Sequence, residues 1–261
     1  MTRIIAVANQ KGGVGKTTTA VNLAASLSAT RRRVLLVDLD AQGNATMGVG
    51  VDKSQLKLTC RDVLLEKATA TQAIVELPQL GLHLIPANAD MTEAEVRLRE
   101  IPMGEFALKS ALATVAERFD FILLDCPPAL SKLTVNALVA ADGVLIPMQC
   151  EYFALEGLSG LVDTVNRIRK HINPKLEIEG LLRTMYDPRN NLANDVSAQL
   201  TQHFGDKVYR TVVPRNVRLA EAPSHGLPAM IYDFDCPGAR AYIALAGEML
   251  RRQDGGQLRI A

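Results

Sequence analysis

Short runs of apolar residues alternate along the chain with segments whose apolar positions recur at helical spacing. The runs cover residues 4–8, 34–37, 82–86, 121–124, 144–147, 178–182 and 208–213. Several are apolar throughout, the pattern of strands covered on both faces, which a parallel sheet between two helical layers requires. Between them, Leu108, Leu112, Val115 and Phe119 fall three or four residues apart, as do Leu158, Val162 and Val165, with Ile172 two turns further on, and then Leu192, Val196 and Leu200. These spacings predict crossover helices, so the fold class is α/β: a doubly wound, mainly parallel sheet flanked by helices. No repeat, low-complexity tract or linker divides the chain, which predicts one domain over residues 1–253 and a frayed tail over 254–261, where two glycines stand together.

Composition narrows the class without naming a function. Of 261 residues, 48% are hydrophobic and 22% charged, which excludes a disordered or coiled-coil chain, and the net charge of +1 supplies no whole-molecule field for a polyanion. Cys60, Cys126, Cys150 and Cys236 lie far apart with no C-x-x-C pair, which suits reduced thiols better than a disulfide framework or a zinc site. No apolar stretch approaches the roughly 20 residues of a membrane span, and the N-terminus lacks a secretory pattern. The expected location is the cytoplasm.

Candidate chemistry begins at the first run. Lys11, Gly12, Gly13, Val14, Gly15, Lys16, Thr17 and Thr18 follow it and open a helical segment whose apolar face is Ala20, Leu23, Ala24 and Leu27. In a strand, glycine-rich loop and helix, successive backbone N–H groups curl around phosphates, and the helix N-terminus adds donors and its positive dipole end. Lys16 brings a point charge to the β- and γ-phosphates, and Thr17 a hydroxyl to Mg²⁺. The usual G-x-x-x-x-G-K-T frame is not met, because Gln10 stands in the first glycine's place and Lys11 adds a second cation. Asp125, ending the run 121–124, is placed to hold Mg²⁺ through water. Asp38 and Asp40 end the run 34–37; a carboxylate there can orient the attacking water, with the transition-state charge neutralised by Mg²⁺, Lys11 and Lys16, or serve only as a strand-end cap.

The string from Lys11 to Thr18 resembles the deviant Walker A motif of the ParA/MinD ATPases. Residues 37–46 resemble the second motif of that group, residues 123–128 its Walker B, and residues 213–216 with 221–226 a late motif typical of Soj-type ParA partition proteins. Ala41 departs from the proline usual in the family. The resemblance implies a P-loop NTPase fold and slow ATP hydrolysis with ATP and Mg²⁺ as cofactors. It gives Asp40 the attacking water, places Asp38, Asp40 and Asp125 about the Mg²⁺ through water, and sets Pro214 and Asn216 against the adenine. Lys11 then reaches the nucleotide of a second subunit, or, alternatively, its own. ATP-dependent homodimerisation, non-specific double-stranded DNA and a ParB-type partner protein complete the expectation, with the protein on the nucleoid.

The two halves of the chain carry nearly balanced charge, so a DNA surface must be local. Lys207, Arg210, Arg215 and Arg218 occur without an acid in residues 207–219. Arg189 and Arg218 are the leading candidates for phosphate contact, followed by Arg215 and Lys207; an ordinary solvated face is the alternative. Too few residues precede the loop for an N-terminal operator-binding domain. A MinD-like, membrane-associated regulator of division is the competing function, but it needs an amphipathic C-terminal anchor, and residues 251–261 offer only two large apolar side chains. A metal-cluster ATPase would need paired cysteines, and only Cys126 falls near the site.

Overall fold

The computed structural model describes residues 2–152 and 154–257. Eight strands form one sheet: β1 (Arg3–Val7), β2 (Val34–Asp38), β3 (Val75–Leu77), β4 (Leu82–Ile85), β5 (Phe121–Asp125), β6 (Gly143–Gln149), β7 (Glu177–Tyr186) and β8 (Val208–Pro214). Their order is β3-β4-β2-β5-β1-β6-β7-β8. Every pairing is parallel except that of β3 with β4.

The continuous apolar runs are explained by what covers the sheet. Alternate residues of each central strand enter opposite layers: Ala6, Leu35, Val37, Ile122 and Leu124 face one core, while Ile5, Val7, Leu36, Phe121 and Leu123 face the other. The first core is closed by the helices Met91–Glu100, Ala107–Ala113, Lys132–Ala140, Ala154–His171 and Asn191–Phe204, and the second by α1 (Lys16–Ala29) and the helix Pro237–Gln257. Strand order reverses at β1, which has β5 on one side and β6 on the other. The carboxyl ends of the strands therefore open a crevice at that point, where an α/β sheet binds its ligand.

Two elements differ from the sequence reading. The helix expected through Phe119 stops at Ala113 and gives way to a 3₁₀ turn, Ala116–Arg118. Thr114 and Val115 are β-branched, and the Thr114 hydroxyl donates to the Ala111 carbonyl, while Phe119 must already be extended to enter β5. The helix Pro237–Gln257 continues past Asp254, where fraying was expected, and the rest of that expected tail, residues 258–261, lies outside the described residues.

Candidate active site

The loop after β1 is anchored before it turns. Asn9, nearly buried, donates from Nδ2 to the Pro147 carbonyl at 2.8 Å and accepts the Lys11 N–H through Oδ1 at 3.0 Å. Gly13 and Gly15 then take positive φ, 74° and 85°, in the left-handed region that a side chain would strain. Gly15 is the N-cap of α1, so the first free N–H groups of that helix lie at the loop. Lys16 is 7% exposed, and its Nζ donates to the Lys11 carbonyl at 3.1 Å. Burial lowers the pKa of the Lys16 ammonium, against the pull of Asp125, Cys126 and Asp40. On the far side of the loop, the Thr184 hydroxyl of β7 donates to the Val14 carbonyl at 2.8 Å.

Three carboxylates meet this loop in different environments. Asp125 is fully buried at the end of β5, and neither of its side-chain oxygens has a hydrogen-bond partner within 3.5 Å. Burial and the neighbouring Asp38 push its carboxyl well above the usual range; the Thr17 hydroxyl opposes, Asp40 adds to the rise, and Lys16 opposes. A buried carboxylate left in this state is costly unless a cation faces it. Asp38, also fully buried, has its oxygens engaged by the protein: Oδ2 accepts from the Thr46 N–H at 2.9 Å and the Thr46 hydroxyl at 2.7 Å, and Oδ1 accepts the Asp40 N–H at 3.1 Å. Burial raises its pKa to about 6, against the Thr46 and Asp40 hydrogen bonds, with Asp40 charge repulsion adding to the rise. Asp38 is thereby tied into the loop that carries Asp40. Asp40 is half-buried and accepts the Gln42 N–H at 3.0 Å.

These residues fit magnesium–ATP. The unpartnered Asp125 oxygens and the Thr17 hydroxyl supply oxygen donors for a hard cation, and the glycine loop, the helix N-terminus and Lys16 supply donors and charge for phosphates.

The remaining expected residues divide between the two rims of the sheet. Pro214 ends β8, and Asn216 follows with its side-chain Oδ1 buried and without a partner, an acceptor open to a donor. Arg215 is exposed beside them. Arg218 pairs with Glu221 at 2.8 Å and Asp233 at 3.3 Å, and Arg189, past the end of β7, pairs with Asp187 at 2.8 Å. Lys207 precedes β8, at the amino ends of the strands, and sits 3.4 Å from Glu177. The basic stretch 207–219 is therefore not one patch, because β8 runs through it and sends Lys207 to the rim opposite the P-loop. Lys11 is exposed at the loop's mouth, and its ammonium pairs with Glu151.

The sequence reading missed Asn9, Thr46 and Thr184. Asn9 and Thr46 border or lie in the recognised motifs and were within reach. Thr184 is 170 positions from the residue it holds, and only the β6–β7 pairing brings it there.

An AAA domain family matches residues 2–178. An uncharacterized protein of Pseudomonas putida is 62% identical over 97% of this chain and 96% of its own. The chromosome partitioning protein ParA of Caulobacter vibrioides is 48% identical over 99% of this chain and 98% of its own. The sporulation initiation inhibitor protein Soj of Bacillus subtilis is 50% identical over 95% and 98% respectively. Among solved structures, cobyrinic acid a,c-diamide synthase of Mycobacterium smegmatis, with bound ADP and magnesium, has a TM-score of 0.86 at 38% identity, covering 98% of this chain and 97% of that one.

Proposed function

Because this chain belongs to the ParA/Soj family of partition ATPases and uses ATP and Mg²⁺, we propose that it moves DNA cargo by an ATP-gated cycle of dimerisation and DNA binding. ATP binds the P-loop, two ATP-loaded copies pair across their nucleotide faces, the dimer holds duplex DNA without sequence preference, and a ParB-type partner stimulates hydrolysis and release. The protein then resides in the cytoplasm, on the nucleoid.

Lys11 is the observation that carries this reading. It is exposed at the mouth of the phosphate loop, with a surface carboxylate as its partner, where a second subunit's triphosphate can compete for it. A positive group offered to the partner's nucleotide favours triphosphate over diphosphate and so couples γ-phosphate to pairing. Lys16 and Thr17 hold the phosphates and metal, Asp125 faces the metal, and Asp40 orients the attacking water. Asn216 accepts from the adenine amine beside Pro214. Arg189, Arg215 and Arg218, near the carboxyl ends of β7 and β8, meet DNA phosphates once their present carboxylate partners are displaced where they have them. Lys207 stands on the other rim and contributes least.

The name of the Mycobacterium structure belongs to another activity, and a fold shared with it does not transfer that activity. Identity of 48–50% to partition proteins over nearly whole chains outweighs it. Among the described residues no helix is long and apolar enough to cross a membrane.

Co-sedimentation with random-sequence duplex DNA, and in parallel with anionic vesicles, tests the proposal when run with ATP, with ADP and without nucleotide. Binding to DNA is expected with ATP alone, with log affinity falling against log salt at a slope of about −0.9 per phosphate neutralised. Vesicle binding without DNA binding would instead favour a MinD-like regulator.

A further inference from the structure

A trans peptide points its C=O and its N–H in opposite directions. In the phosphate loop the carbonyl of Val14 accepts the Thr184 hydroxyl at 2.8 Å, with both residues buried. The N–H of the same peptide belongs to Gly15, so it is aimed away from β7, towards the side where phosphates meet the N-terminus of α1. Gly15 lies at φ 85°, and as a glycine it admits the other orientation at little cost. The freedom that lets the loop curl would therefore also let the Val14–Gly15 peptide turn its oxygen towards the triphosphate, replacing a donor with a repelling acceptor.

We propose that Thr184 is a positioning residue for nucleotide binding: its hydroxyl holds the Val14–Gly15 peptide with the N–H facing the phosphates. The side chain is built into the site. Thr184 is 2% exposed, and its methyl lies 3.9 Å from where a Cβ on Gly15 would stand, so the side chain is packed beside the glycine whose peptide its hydroxyl holds. At the loop's entry Asn9 does the complementary task, taking the Lys11 N–H at 3.0 Å and tying the segment to β6 through Pro147. Strands on one side of β1 thus fix both ends of the loop, and only the part between them is left to follow the ligand.

Thr184→Val keeps the shape and removes the donor. Titration of the full-length protein with fluorescent ATP and ADP analogues should show both dissociation constants rising about tenfold, the loss expected when one buried carbonyl loses its partner. In steady-state hydrolysis KM should rise with the dissociation constant while kcat stays within about twofold, because the defect lies in holding phosphates. Thr184→Ser restores the hydroxyl and should bind within about threefold of the native protein. Native affinity in Thr184→Val, or a serine variant as weak as the valine one, would overturn the proposal, as would a fall in kcat at unchanged KM. If the valine variant does not fold, Thr184→Ser compared with Thr184→Ala decides it, since serine must bind far more tightly than alanine.

Discussion

In the proposed mechanism, burial separates the tasks of two carboxylates at neighbouring strand ends, Asp125 and Asp40. Asp125 is fully enclosed with both oxygens lacking a hydrogen-bond partner within 3.5 Å, a setting that suits a cation. Asp40 is half-buried on a loop held by Asp38, with its own Oδ1 fixed by the Gln42 N–H, and it can meet solvent. Asp40→Asn retains an oxygen for Gln42 but cannot draw a proton from water. Phosphate release should therefore fall about 100-fold, the common contribution of a general base, while the affinity for a fluorescent ATP analogue changes little. Hydrolysis at the native rate would remove Asp40 from the mechanism. The residues proposed to hold phosphate were readable because the end of β1, the loop and the start of α1 are contiguous in sequence. The different surroundings of Asp38 and Asp40 were not, because Thr46 decides them and only its folded position shows it.

At the scale of elements, the loop carrying Asp40 is closed by a short chain of hydrogen bonds. Asp38 on β2 accepts from the N–H and hydroxyl of Thr46, in the helix α2 (Asn44–Gly48), and the Thr46 hydroxyl in turn accepts the Ala87 N–H at 2.9 Å. β2, α2 and the segment after β4 are thus joined at one buried side chain. Thr46→Val fills the same space and leaves Asp38 and the Ala87 N–H short of partners, at a cost of about 2–3 kcal/mol. Thermal melting should fall by roughly 4–6 °C for a chain of this size, and Thr46→Ser should recover most of it. A valine variant that melts with the native protein would show that the clasp contributes nothing. Elements of this kind limit what periodicity can reveal. The runs were found because two-sided burial makes them apolar throughout, whereas β3, three residues on the sheet's edge with Glu76 exposed, has no such signature. The break after Ala113 escaped for the opposite reason, since Leu108, Leu112, Val115 and Phe119 are all buried whether or not the helix is continuous.

For the whole molecule, the open question of a single sheet is what protects its edges. Strand order is a property of pairing and left no trace in the sequence, so the solution at β8 became visible only in the fold. β8 advances four residues, Val208 to Val212, while β7 advances two, Leu181 to Arg183. The bulge bends the edge strand and removes its ladder bonds. Side chains replace them from both flanks. Arg183 donates to the carbonyls of Tyr209 and Arg210 at 2.8 and 3.1 Å, and Glu248 of the helix Pro237–Gln257 accepts the N–H groups of Arg210 and Thr211, both at 2.9 Å, with the Thr211 hydroxyl at 2.7 Å. Arg252 completes the group, 2.8 Å from Glu248 and stacked 4.0 Å from the centre of the Tyr209 ring. Burial pushes the Glu248 carboxyl up, but the Thr211 and Arg210 N–H groups, the Thr211 hydroxyl and Arg252 outweigh it and hold the pKa below the usual value. A carboxyl lowered on folding contributes stability that is present above its unfolded pKa, about 4.3, and is lost as pH falls through the lower folded value. Glu248→Gln, which offers one acceptor where two oxygens served, should therefore lower stability by about 2 kcal/mol at pH 7. Its deficit against the native protein in denaturant melts should narrow as pH falls below about 4. A deficit that stayed constant between pH 7 and pH 3 would show that the loss is one of packing, and that the charge on Glu248 does not hold this edge.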